Sequence, residues 1–231
     1  MSQENYISRT PHLLKSFNRA INLVKPVLVA RYGGEADELI KASRQKYRDL
    51  IPQIPYIGES PLVNMFYLPA SRHLGTYKAF QERGKTVEEV GQLVYEIGGA
   101  EFKAIPGFVR RAIGILWFSR WFTANLKKRA ALSDKRKYPG GYVVAYIQGD
   151  GKEFDFEFDY LECAVHNFFR QQDAAELVPY LCAIDKTASE SLGWGLRRTM
   201  TLADGGEKCD FCFKKDGKTS VTIPQSLMVM D

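Results

Sequence analysis

The chain is short of several things, and each shortage removes a class of protein. It has only 4 cysteines in 231 residues, too few for the disulfide framework of a small secreted domain. Its first residues, MSQENYISRT, hold no apolar core of the kind a secretory signal needs. No uninterrupted apolar run in the sequence approaches the roughly 18 residues that a membrane span requires. Charge of one sign is in small excess: 32 Lys and Arg against 27 Asp and Glu leave a formal net charge of +5. Such a balance suits an anionic small ligand. Nucleic-acid binders are usually more lopsided, and no RNA- or DNA-binding signature is present. Repeats and low-complexity tracts are absent as well. These features describe a reduced, cytoplasmic protein with length for one sizeable core.

What is present changes character along the chain. Leu13, Phe17, Ala20, Ile21 and Val24 recur at helical spacing, with Pro26 ending or kinking the pattern. A second helical stretch runs over residues 35–50, and the proline-rich residues 51–61 read as a connector. Residues 64–84 read as helical on both sides of Pro69. Thr86, followed by Glu88 and Glu89, has the form of a helix start, and that helix is expected to end at Gly98 and Gly99. Residues 105–137 mix Trp117, Phe118, Trp121 and Phe122 with Arg110, Arg111, Arg120, Lys127, Lys128 and Arg129. The aromatics fall on nearly all faces of a helix. This favours a core or lid helix with snorkelling basic side chains over a contact with the membrane surface, and it is compatible with a homo-oligomer.

From Tyr138 the period shifts to two. Residues 143–149 read as a strand, Asp150-Gly151 as a turn, and FDFEFDYLEC over residues 154–163 alternates aromatic with acidic residues. Residues 164–184 are expected to be helical with a break at Pro179, and Asp185 to cap a short helix ending near Gly193. Residues 196–203 and 209–214 form a last hairpin. The expected fold is therefore α+β in a single domain: a helical N-terminal half, residues 1–137, packed on an antiparallel sheet of about four strands with crossing helices, residues 138–231.

All 4 cysteines fall within residues 163–212, and a thiolate is the strongest nucleophile a protein carries near neutral pH. Cys163 stands where a strand gives way to a helix, and the helix N-terminus is expected to lower its pKa. His166, three residues on, would share its face and offer a base. Cys182 reads as helix packing. Arg197 and Arg198 point to opposite faces of a strand, so only one can meet a substrate carboxylate. Arg197 shares its face with Thr199 and Thr201, Arg198 with Met200 and Leu202, and the register leaves the choice open. Cys209 and Asp210 open the last strand on opposite faces. Cys212 completes a CxxC, and with Cys163 and Cys182 it would supply enough thiolates for structural zinc. Strand alternation separates Cys209 from Cys212, so no cofactor is expected.

The order of these pieces resembles the L-2-amino-thiazoline-4-carboxylic acid hydrolase family: Cys163, then LVPYLCAID at residues 177–185, GLRRTMTLADGG at 195–206, and CDF at 209–211. The resemblance is strong over residues 160–214 and looser over 62–98. It implies an enzyme that opens a cyclic isothiourea to give N-carbamoyl-cysteine. It implies a catalytic role for Cys163, with Cys209 as second candidate, and marks Cys182, Asp185 and Asp210 as candidates for the site. His166 matches no family position, and Cys212 departs from the pattern. The alternative, from another class, is a small-molecule or metal-binding protein on the same scaffold without hydrolase activity.

Overall fold

The computed structural model describes residues 4–60 and 63–228. Pro61, the last residue of the expected connector, lies outside them. In chain order the elements are α1 (Glu4–Ser8), α2 (Thr10–Tyr32), α3 (Ala36–Leu50), α4 (Leu68–Gln81), α5 (Val87–Ala104), α6 (Gly107–Trp117) and α7 (Arg120–Ser133). They continue with β1 (Val143–Gln148), β2 (Phe156–Glu162), α8 (Ala164–Gln171), α9 (Val178–Leu192), β3 (Leu196–Arg198), β4 (Cys209–Phe213), β5 (Ser220–Val221) and α10 (Gln225–Met228). An N-terminal helical region thus packs against a central sheet flanked by further helices. Among the described residues no helix is long and apolar enough to cross a membrane.

Apolar periodicity explains the helical part. In α2 the buried stripe is Leu13, Leu14, Phe17, Ala20, Ile21, Val24 and Leu28, so the helix runs on past Pro26 to Tyr32. Pro26 is exposed, and a carbonyl it leaves unbonded on that side can meet water, which removes most of the usual penalty. The start of α5 is fixed as the sequence suggests. Thr86 Oγ1 accepts from the Glu89 backbone N–H, and Glu89 returns the bond to the Thr86 N–H. The end is not: α5 continues through Gly98 and Gly99 to Ala104. Packing decides this, because a Cβ at Gly91 would lie 2.3 Å from the Tyr180 ring and one at Gly98 2.7 Å from Ile184. Two glycines a heptad apart let α5 and α9 approach closely.

The sheet order is β1-β2-β4-β3-β5. β1 pairs with β2, β2 with β4, and β3 with β4, all antiparallel, while β3 and β5 are parallel. The sheet is therefore mixed and has one strand more than expected. Register follows the alternation of β2. Phe156 faces Phe213, Phe158 faces Phe211 and Tyr160 faces Cys209 across the β2–β4 pair. These inward residues meet Trp117, Leu126, Ala188, Leu192 and Trp194 in an aromatic core. Trp117 and Trp194 stack with ring centroids 4.0 Å apart, a contact worth about 1 kcal/mol beyond the area it buries.

Residues 105–137 form two helices joined at Ser119, whose hydroxyl accepts from the Phe122 N–H. They bury Gly114, Trp117, Leu126 and Ala130. Ser133 Oγ accepts from the Val144 N–H at 2.9 Å, tying α7 to β1. Phe108 and Trp121 remain exposed.

The segment after β2 differs from expectation. α8 stops at Gln171, Asp173 takes a left-handed φ of 51°, and a 3-10 turn over Ala175–Leu177 leads into α9. Pro179 lies in the first turn of α9, where its missing N–H has no partner to lose. The break comes before the proline, and Asp185 is not a cap: it sits in the middle of a helix that closes on Gly193 with φ 69°.

Candidate functional site

Helices α4, α5, α7 and α9 and strands β1, β2 and β4 line a large, mostly apolar cavity of about 1210 Å³ that opens to solvent. Its polar lining includes Arg19, Glu59, Arg72, His73, Glu101 and Glu162, and also three thiols with one further carboxylate. Cys163 from the β2–α8 junction, Cys182 and Asp185 from α9, and Cys209 from β4 all line it. Helical spacing puts Cys182 and Asp185 on the same face. Strand alternation puts Cys209 on the inner face beside Phe211. The fourth thiol, Cys212, is not among the lining residues. Among the described residues no group of three or more His, Cys, Asp or Glu could hold a metal ion.

The electrostatics of this cluster are those of desolvated groups. Burial pushes the Cys163 thiol up to about 12, although the backbone N–H groups of His166 and Val165 pull the other way. The expected lowering by the helix N-terminus is thus present but outweighed. Cys182 is raised well above the ordinary thiol value, again by burial, against the pull of Arg198. Cys209 is raised as well, mainly by burial, while its sulfur accepts from the Leu202 N–H at 3.2 Å. Asp185 is raised to about 6, burial outweighing the attraction of Arg198. At neutral pH the resting site therefore holds neutral thiols and a largely ionised carboxylate.

Arg198 is the anchor of that carboxylate. Its side chain is 1% exposed and lies behind the cavity, absent from the lining. Nη1 donates to Asp185 Oδ2 at 2.5 Å and to the Cys182 carbonyl at 2.8 Å, and Nη2 donates to the Thr222 carbonyl at 3.2 Å. The guanidinium also lies over the Phe211 ring, 5.4 Å from its centroid. With its terminal nitrogens so engaged, Arg198 holds Asp185 and does not reach into the cavity. Asp185 Oδ1 has no protein donor among the described residues.

The other sequence candidates lie elsewhere. Arg197 is on the outer face of the sheet, with Nη2 3.6 Å from Cys212 Sγ. Asp210 is there too. It accepts from the backbone N–H groups of Thr199 and Met200 at 2.9 and 2.8 Å and from the Thr199 hydroxyl at 2.6 Å. These bonds take the place of a strand ladder, which is why β3 ends at Arg198 and the expected long hairpin does not form. Thr201 donates from its hydroxyl to Asp204 at 2.6 Å and shapes a turn. His166 is half-buried outside the cavity, and burial lowers its pKa. The structure does not join it to Cys163 in the cavity.

Two residues escaped the sequence reading. Tyr142 and Tyr160 line the cavity with ring centroids 5.7 Å apart, and burial raises both phenols, with Cys163 the next influence on each. Neither hydroxyl has a hydrogen-bond partner among the described residues, so both remain protonated donors. For Tyr160 the signal was its place on the inner side of β2. For Tyr142, just before β1, there was none. His73 also lines the cavity and is held neutral by burial.

The site is thus an α+β scaffold with three thiols and a carboxylate lining one largely apolar cavity. A model of the L-2-amino-thiazoline-4-carboxylic acid hydrolase family matches residues 76–213, more than half of the chain, and the chain belongs to that family. The match takes in the cavity lining from α5 to β4, and the lining residues of α4 precede it. No curated protein and no solved structure gave a match.

Proposed function

We propose that the protein hydrolyses a small cyclic isothiourea or amidine of the 2-amino-thiazoline-4-carboxylate type, using a cysteine thiolate of the cavity. The observation that carries this reading is the convergence of Cys163, Cys182, Cys209 and Asp185 on one largely apolar space. Family membership supports hydrolase chemistry in general, and the finer assignment is drawn from the chemistry of this cluster.

The resting thiols are held neutral, so the nucleophile needs a reason to ionise. An isothiourea substrate brings one. Its amidine is basic, and as an amidinium it pairs with the free Oδ1 of Asp185. A cation in a low-dielectric cavity lowers the pKa of each neighbouring thiol. The proton the thiol gives up passes to the amidine nitrogen of a substrate that enters neutral, and the amidinium so formed faces the thiolate that attacks it. The thiolate of Cys163, or in second place Cys209, adds to the carbon between nitrogen and sulfur. The ring C–S bond breaks, and the departing sulfur takes up a proton. Water then adds to the carbon of the S-linked isothiourea and the enzyme thiol leaves. The net change is one water added per ring opened, giving the carbamoyl product. Tyr142 and Tyr160 supply hydrogen bonds to the tetrahedral carbon's heteroatoms. Arg198 acts one step back, by fixing Asp185.

The test is turnover of 2-amino-thiazoline-4-carboxylate, followed by mass spectrometry of N-carbamoyl-cysteine. Cys163→Ala is expected to lose about 1000-fold or more in turnover, in the range seen when an enzyme's nucleophile is removed. Full activity in both Cys163→Ala and Cys209→Ala would exclude the covalent route.

A further inference from the structure

The cavity is too large for the substrate that the family's description suggests. At about 1210 Å³ it exceeds the roughly 300–1,000 Å³ in which proteins usually hold drug-sized ligands. An amino-thiazoline carboxylate is a single five-membered ring with two small substituents. It would occupy the thiol end and leave the rest of an apolar chamber empty.

The lining is not uniform. Asp185, on α9, has a free oxygen that suits a cation, and the aromatic walls include Phe66, Phe102, Trp117 and Phe158. Where α7 and the following turn meet solvent, the lining residues are Arg129, Lys135, Arg136 and Lys137, all exposed. Arg136 is paired with Glu162. Arg129 and Lys135 have no carboxylate partner among the described residues. A basic mouth of this kind attracts an anion. Arg197 and Arg198, the residues from which a carboxylate reader was expected, do not line the cavity.

We infer that the substrate is an elongated zwitterion: an amidine or isothiourea head at Asp185 and the thiols, an apolar body along the aromatic walls, and an anionic group at Arg129 and Lys135. This rests on the site assigned under the proposed function, and it adds a class of substrate to that reading.

The experiment measures binding, so that it stands apart from turnover. The probes are ω-amidino carboxylates from ω-amidinopropanoate to ω-amidinododecanoate, which carry head and anion but no leaving group. Calorimetry on the unmodified protein is expected to show affinity rising by about two- to fourfold with each methylene until the chamber is filled. Affinity that is flat or falls with length would overturn the inference. The double variant Arg129→Glu, Lys135→Glu changes exposed side chains only. It is expected to weaken ω-amidinododecanoate at least tenfold and to leave the matching alkylamidine, which lacks the carboxylate, unchanged. Equal weakening of both would remove the anionic group from the proposal. Should 2-amino-thiazoline-4-carboxylate prove not to be turned over while the length dependence holds, the hydrolase reading fails and the ligand class stands.

Discussion

The two faces of the sheet carry the same residue types with different consequences. On the inner face, Cys209 lies among aromatic rings, and Arg198 is buried against Asp185. On the outer face, Cys212 lies beside the exposed Arg197, and Asp210 is held by backbone N–H groups. Arg197 and Arg198 differ in solvent, one exposed and the other buried, whereas Cys209 and Cys212 are both buried and differ in their neighbours, as do the half-buried Asp185 and Asp210. Inside, burial raises Asp185 to about 6 and makes its single cation partner indispensable. Outside, water screens the charges, and Asp210 acts as a local brace. The lesson is that a motif's residue identities do not assign roles until the alternation of the strand has sorted them.

The largest expected effect on stability tests the arginines. Arg198→Met takes the cation from half-buried Asp185 and the donors from the Cys182 and Thr222 carbonyls and should cost about 3 kcal/mol, measured by urea denaturation. Arg197→Met should stay within about 0.5 kcal/mol. Equal costs would break the contrast between the faces.

The aspartates come next. Asp210→Ala removes three hydrogen bonds at the end of β3 and should cost about 1–3 kcal/mol. Its effect on turnover should be small beside that of the cysteine variants. A loss of turnover as complete as that of Cys163→Ala, at unchanged stability, would move Asp210 into the catalytic machinery.

The smallest effect is one of pH. Asp185 titrates at about 6 in the folded protein, above the roughly 3.9 of an unfolded chain. Between those values the folded state holds the proton more tightly, so this group's contribution to stability is full below about 4 and declines as pH rises through 6. Under the proposed mechanism kcat/KM should rise over the same upper limit, because the ionised carboxylate receives the amidinium. A profile flat from pH 5 to 7 would detach Asp185 from the chemistry.

Much of the fold was legible because it rests on local patterning. The alternation in β2, the stripe of α2 and the cap at Thr86 are each written in a few neighbouring residues. Cys209 and Asp210 were separable for the same reason. The failures share a different cause. Asp185 resembles a helix cap, yet α9 runs through it, because the chain turns earlier at Asp173, a position with no glycine or proline to announce it. Arg197 and Arg198 could not be told apart, because the partner of Arg198 lies on another element, 13 positions away. Tyr142 belongs to the cavity only because β1, β2 and α8 meet there.

The glycine contacts described for α5 bear on how the site can move. Helix α9, which carries Cys182 and Asp185, is gripped on one flank by Gly91 and Gly98. It is also met by Gly114 of α6, where a Cβ would lie 2.2 Å from the Leu192 carbonyl. The Tyr180 ring and the Ile184 side chain fill the space a Cβ would take at Gly91 and Gly98, and at Gly114 the Leu192 carbonyl does, so α9 has little room to shift against α5 and α6. Close packing of this kind makes α9 the stiff wall of the chamber, so Cys182 and Asp185 keep their spacing while a guest enters. Whatever give the chamber has must come from its other walls.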